Sequence, residues 1–225
     1  MIKIDVLTLF PEMFTGPFSA SIIKRAQSKG LLEINVHNLR NWGEGKRSDV
    51  DDRPYGGGVG MVLRVDILDR ALHDLKSKIK NEKSKVILLD ATGERYTQQK
   101  ARELSKADHL ILIAGHYEGV DHRVHEELVD EVISIGDYVL TGGEIPSMVL
   151  TDSIIRLIPG VLGKDESSVD ESHKEPGYLE YPQYTRPEKY NFIPNNFSVF
   201  STFSPPRRGL GVLPGDFKNS TMEPS

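Results

Sequence analysis

Four stretches of this sequence carry residue types that could do chemistry. The first is Asp51-Asp52-Arg53-Pro54-Tyr55-Gly56-Gly57-Gly58-Val59-Gly60. Consecutive glycines let backbone N–H groups approach a planar or anionic ligand, while Arg53 and Tyr55 could grip a phosphate and stack on a base. It is not a dinucleotide fingerprint, because Leu63 stands where the third glycine after Gly58 and Gly60 belongs. Gly45-Lys46 is not a phosphate-binding P-loop either, since Arg40 and Arg47 occupy its glycine and hydroxyl positions. A flexible surface loop explains the same residues equally well.

The second stretch is Gly115-His116-Tyr117-Glu118-Gly119, directly after the apolar run His109–Ala114. Ligands of open α/β sheets bind beyond the carboxyl ends of strands, which is where this turn falls, although a tight turn alone accounts for both glycines. The third, Ser134 to Pro146, mixes apolar residues with Gly136, Gly142 and Gly143 before a helix that opens on Glu144. Its backbone can serve the edge of an adenine and its apolar side chains the faces; Glu144 reads more simply as a partner of the helix dipole. The fourth comprises Asp165, Glu166, Asp170 and Glu171, with Arg156 upstream; a charge run of this kind is usually a solvated face. His122 and His125 have the H-x-x-H spacing of a metal pair, but no third ligand is evident and a solvated helix face accounts for them better. No metal is expected.

The elements that must position these residues follow from periodicity. Ile2–Leu9, Leu32–Val36, Lys85–Asp90, His109–Ala114 and Glu131–Ile135 read as strands, the inner ones apolar throughout. Helical spacing covers Ser21–Lys29, Val65–Lys78, a helix capped by Thr97 and running to about Lys106, Asp121–Leu128 and Glu144–Ile158. A turn is expected at Gly93, and Arg40 to Gly60 is too polar and glycine-rich for a regular element. Strands alternating with helices predict an α/β fold with a parallel sheet. From Pro187 onward, Pro, Asn, Ser and Gly without periodicity read as extended or disordered chain.

The 225 residues suffice for a substantial core, and 38% apolar with 27% charged residues is the composition of a soluble globular protein. Without cysteine there are no disulfides or thiolate metal sites. The amino-terminal stretch lacks a basic leader and cleavage site, and no apolar run approaches 18 residues, so neither a signal peptide nor a membrane span is expected and the reading is cytoplasmic. A net charge of −5 argues mildly against nucleic acid, although a local basic surface can sit on an acidic protein.

Taken in order and spacing, these motifs, together with Leu9-Phe10-Pro11-Glu12-Met13-Phe14, Ile158-Pro159-Gly160-Val161-Leu162-Gly163-Lys164 and Tyr184-Thr185-Arg186-Pro187, closely resemble the bacterial tRNA (guanine-N1)-methyltransferases of the SPOUT superfamily. The resemblance covers residues 1 to about 190. It implies an α/β domain with a carboxy-terminal trefoil knot, S-adenosylmethionine as cofactor, guanosine 37 of tRNA as substrate and a homodimer with active sites at the interface. A domain over residues 1–160 would bind the cofactor, 161–190 would form an interface loop and linker, and 191–225 an irregular tail matching nothing of the family's small helical domain. Among the site residues, the resemblance implies cofactor contacts at Gly115, Tyr117, Glu118, Ile135, Gly136, Asp137, Tyr138, Val139, Leu140, Gly142, Gly143 and Pro146, and RNA contacts at Asp52, Arg53, Tyr55, Gly57 and Gly58.

The implied chemistry needs a base for the N1 proton of guanine and a cation facing O6. Arg156 matches the family's arginine. The family's catalytic aspartate, just before a serine, falls here on Glu171, with Asp170 one residue early; both remain candidates. The family's Ser-Pro after the strand ending at Leu89 is replaced by Asp90-Ala91-Thr92, altering one wall of the expected cofactor pocket. The competing reading is a SAM- or RNA-binding homodimer that has lost turnover.

Overall fold

Five parallel strands, in the order β2-β1-β6-β5-β7, form the central sheet of the computed structural model. The structure describes residues 1–78, 84–162, 171–175, 177–187, 190–191 and 202–203. In chain order the elements are β1 (Ile2–Thr8), α1 (Thr15–Phe18), α2 (Ser21–Ser28), β2 (Leu32–Asn38), β3 (Asp51–Asp52), β4 (Val62–Leu63), α3 (Val65–Ser77), β5 (Ser84–Arg95), α4 (Gln98–Leu104), β6 (His109–Ala114), α5 (His122–Glu127), β7 (Glu131–Ser134), α6 (Glu144–Ile155), β8 (Tyr190–Asn191) and β9 (Thr202–Phe203). Two units are distinguished, Met1–Ser168 and Val169–Ser225.

The expected α/β class holds for the first unit, and the physical cause is visible strand by strand. Every residue of β6 is buried, because helices cover both faces of the sheet. On one face Phe14, Phe18, Ile23, Leu104, Leu150 and Ile154 pack against Ile4, Val6 and Leu112. On the other, Ile67, Leu68, Leu72 and Val124 pack against Leu7, Ile111 and Ile113. None of the described helices is long and apolar enough to cross a membrane.

Two expectations from periodicity are corrected. Instead of ending in a turn at Gly93, β5 continues to Arg95 through an irregularity: Leu89 and Glu94 both align on Ile133 of β7. Residues 90–93 therefore loop out of the ladder like a bulge. Gly93 permits this because a Cβ there would lie 2.5 Å from the backbone nitrogen of Ile133. Nor is the polar stretch Arg40 to Gly60 wholly irregular. A bridge joins Glu44 to Asp49, and Asp51 and Asp52 pair with Leu63 and Val62. The fully buried Val50 anchors that pairing, its carbonyl accepting from the Arg64 amide at 3.0 Å.

The second unit contains a turn in which His173 N donates to Tyr178 O at 2.8 Å and Ser172 Oγ accepts from Glu180 N at 3.0 Å. Lys174 Nζ sits 4.2 Å from the centre of the Tyr178 ring. The tail expected to be irregular includes one short antiparallel ribbon, β8 with β9; its remaining residues lie outside the described ones.

A buried charge ties three strands of the sheet together. Asp5 on β1 is 2% exposed and lies 2.6 Å from His109 Nε2 of β6 and 2.7 Å from His37 Nε2 of β2. Burial pushes its carboxyl up, but hydrogen bonds from His109 and His37, with Lys3 nearby, outweigh that and hold it well below the usual carboxylate range. A depressed carboxyl contributes stability above its unfolded pKa of about 4, and loses it as pH falls toward the folded value. Asp5→Asn is accordingly expected to cost about 1.5–3 kcal/mol at pH 7, the range for hydrogen bonds to charged groups. Its deficit against wild type should shrink as urea titrations move below about pH 4; a deficit that stays constant down to pH 2 would refute the linkage.

Candidate active site at the carboxyl end of the sheet

The bulge within β5 and the carboxyl ends of β6 and β7 deliver three segments to one cavity of about 300 Å3, at the lower end of the range for small-molecule sites. From β5 comes the bulge Asp90–Thr92, from β6 the turn Gly115–Gly119, and from β7 the segment Ser134 to Gly143. The last segment starts at the sheet edge yet returns past β5 to the end of β6. There Gly143 N donates to Gly115 O at 2.8 Å, and Gly142 bridges to His116.

Glycine is required at that junction. A Cβ on Gly143 would stand 2.6 Å from Ala114 Cα and 2.8 Å from Gly115 N, and main chain cannot yield as a side-chain tip can. On Gly142 a Cβ would strike the His116 ring and the Glu144 carboxylate. Helix α6 then starts, with Ser147 Oγ donating to Gly143 O at 2.8 Å.

Behind the junction lies a polar strut. Glu144 is 2% exposed; its Oε1 accepts from Thr8 Oγ1 at 2.8 Å, and its Oε2 is 3.8 Å from His116 Nδ1. The His116 ring packs on Phe10 and, edge-on, on Tyr117. One carboxylate thus connects the end of β1, the β6 turn and α6. Read from sequence, Glu144 is a dipole partner; its burial against Thr8, 136 residues away, depends on strand order and leaves no local signal.

Of the twelve expected cofactor contacts, eleven line this cavity: Gly115, Tyr117, Glu118, Ile135, Gly136, Tyr138, Val139, Leu140, Gly142, Gly143 and Pro146. Asp137 does not. Its side chain is 85% exposed and pairs with Arg95 Nη1 at 3.4 Å. Lining residues outside that expected set include His116, Ser134 and Thr141. Tyr117 has a φ of 63°, unusual for a residue with a side chain; its hydroxyl lies 3.5 Å from Arg40 Nη2.

The glycine-rich stretch is tied to the same cavity. Glu118 N donates to Met61 O and Leu63 N to Gly119 O, both at 3.0 Å. A Cβ on Gly60, whose φ is 81°, would run into the Glu118 side chain. Glu44, held by Arg64 at 2.7 Å and Arg70 at 2.9 Å, fixes the preceding bridge to α3. Between these anchors Asp52, Arg53, Gly57 and Gly58 are exposed and Tyr55 is fully so. This is a presented loop, placed beside the cavity.

Arg156 caps the far end of α6. Twelve residues at 1.5 Å rise put it roughly 18 Å along the helix from Glu144. Glu171 belongs to the second unit, and Asp165, Glu166 and Asp170 lie outside the described residues. His122 and His125 stack at 5.0 Å, while His122 pairs loosely with Glu126 and His125 lies 3.9 Å from Asp90. Among the described residues no three His, Asp or Glu side chains come together as a metal-ligand set.

The family model described as tRNA (Guanine-1)-methyltransferase TrmD matches residues 2–199. The chain belongs to this family. A tRNA (guanine-N(1)-)-methyltransferase of Dictyoglomus turgidum is 55% identical over 190 residues, 84% of this chain and 75% of the relative. One from Bacillus cereus (strain AH820) is 54% identical over 188 residues, covering 84% and 76%. The crystal structure of a tRNA (m1G37) methyltransferase from Aquifex aeolicus superposes with a TM-score of 0.69 at 35% identity, covering 84% of this chain and 78% of that one. The family's parallel α/β architecture is thereby the architecture described above.

Proposed function

We propose that this protein methylates N1 of guanosine 37 in tRNA, using S-adenosylmethionine bound in the cavity at the carboxyl end of the sheet. The observation that carries this reading is the junction of two glycine loops at the end of β6, in a chain of the tRNA (guanine-1)-methyltransferase family. The residues present fit such a cofactor. Gly142 and Gly143 let the two loops close on each other as one wall of the cavity, the 135–140 backbone can meet an adenine edge, and Ile135, Leu140 and Pro146 offer apolar faces. When bound, S-adenosylmethionine supplies the electrophilic methyl group. The return of the 135–143 segment past β5 to β6 supports the trefoil threading of the family.

The chain's own groups do the rest. Tyr55 and Arg53, exposed beside the cavity, would stack on a base and hold a backbone phosphate. A carboxylate, Glu171 by position, would take the N1 proton as N1 forms its bond to the methyl carbon. Arg156 would face O6, where negative charge gathers as that proton departs. Because Arg156 is roughly 18 Å from the α6 start by helical rise, it serves a cavity most simply in the partner of a homodimer.

An apolar surface favours such a dimer. Tyr138, Val139, Leu140, Ile145 and Val149 are all exposed, Val139 by 87%, along the cavity rim and the outer side of α6. Val149→Glu should therefore yield a monomer at micromolar concentration by sedimentation, with methyl transfer lost; a variant that stays dimeric would place the interface elsewhere.

The direct test incubates the full chain with methyl-labelled S-adenosylmethionine and tRNA transcripts carrying guanosine or adenosine at position 37. Label recovered as N1-methylguanosine only from the former is expected. Cofactor binding by calorimetry without any transfer would instead support the reading of a binding protein that has lost turnover.

A further inference from the structure

The cavity wall formed by β5 is built around a carboxylate. Asp90 opens the bulge that leaves the β5–β7 ladder, and it lines the cavity. Its Oδ1 is fixed by Thr92, accepting from both the amide and the hydroxyl at 2.8 Å. Its Oδ2 has His125 Nε2 at 3.9 Å, beyond hydrogen-bonding reach. The side chain is only 20% exposed. A carboxylate so held is oriented, partly desolvated and left with acceptor capacity.

The charge of the whole lining points the same way. Asp90 and Glu118 both line the cavity, and among the described residues no Lys or Arg does. A partly desolvated site with this lining favours a ligand that brings positive charge, and penalises a neutral one that leaves the carboxylate uncompensated. S-adenosylmethionine carries two cationic centres, the sulfonium and the α-ammonium, beside one α-carboxylate, so its methionyl end is net cationic. We propose that Asp90 is the counter-charge for that cationic end, so that the cavity selects charged over neutral sulfur nucleosides. This rests on the cofactor reading above.

Calorimetry with three ligands tests it: S-adenosylmethionine with both cationic centres, S-adenosylhomocysteine with the ammonium only, and methylthioadenosine with neither. Asp90→Asn keeps an oxygen for Thr92 and removes only the charge. It is expected to weaken S-adenosylmethionine about tenfold, the scale of one hydrogen bond to a charged group, and not to weaken methylthioadenosine, which loses no partner and no longer leaves a charge uncompensated. S-adenosylhomocysteine then identifies the cation: equal loss assigns the ammonium, and no loss the sulfonium. Asp90→Glu, which retains the charge, should keep most of the preference.

Equal weakening of all three ligands would overturn the proposal, making Asp90 an acceptor for ribose hydroxyls or a mere support of the bulge. No weakening of any, or a Glu variant as impaired as Asn, would overturn it too. Failure of the wild-type protein to bind any of the three would instead strike the cofactor reading on which the proposal depends.

Discussion

Glu171→Gln is expected to bind S-adenosylmethionine as the wild type does and to lose methyl transfer by about a thousandfold, the usual span of general-base catalysis. An amide of the same shape cannot accept the N1 proton, so the loss falls on turnover and not on binding. Glu171 precedes Ser172, whose hydroxyl accepts from Glu180 N, and its own carbonyl accepts from Lys174 N at 3.2 Å. Its backbone is thus part of an ordered turn. Glutamate and aspartate differ in basicity by only a few tenths of a unit, but glutamate reaches one methylene further. Glu171→Asp should therefore keep activity, and raise it if the longer reach misplaces the oxygen, since about 1 Å can be worth about a hundredfold. Asp170→Asn should change little. Single-turnover rates with saturating cofactor decide the matter, and an inactive Asp170→Asn beside an active Glu171→Gln would transfer the role to Asp170.

Gly143→Ala is the second substitution expected to have a large effect. Its new methyl would sit 2.6 Å from Ala114 Cα, so the loop must lift from the end of β6 and break the 2.8 Å hydrogen bond to Gly115 O. Both walls of the cavity then separate by a fraction of an ångström or more. Cofactor affinity and transfer should each fall about a hundredfold, while the sheet, whose strands pair without Gly143, keeps its circular dichroism. Gly56→Ala makes the contrast: nothing lies within 4 Å of its Cβ, so only its φ of 84° opposes the change and cofactor affinity should survive. Intact S-adenosylmethionine binding in Gly143→Ala would mean that the junction can relax, or that the cofactor does not depend on it.

The sheet and most helices were legible because their signals are local. Leu110–Ala114 is apolar throughout, and such a run is a strand buried on both faces. Thr97 caps α4, its hydroxyl accepting from Lys100 N at 3.3 Å, as its residue type implies. The β5 extension was not legible, since a polar Asp90-Ala91-Thr92-Gly93 looks like any turn. Only the register against β7 shows a bulge, and only the missing Cβ of Gly93 explains how it is accommodated. Within the glycine-rich loop, the pairing of Asp51–Asp52 with Val62–Leu63 was hidden for a similar reason: a two-residue strand has no period to detect.

The sequence by itself determined the class of the fold, the loops that line the cavity and, through motif order, the family. Those depend on alternation, capping and residue identity, which adjacent residues carry. Which loops meet was decided only by the tertiary structure. Strand order β2-β1-β6-β5-β7 puts Gly143 against Gly115 and Glu144 against Thr8. It also turns Asp137 outward to Arg95 while Asp90 lines the cavity. Such contacts join residues far apart in the chain, and no local propensity encodes them. They arise because parallel strands need crossovers, and each crossover chooses its neighbour by burying apolar area across the whole sheet.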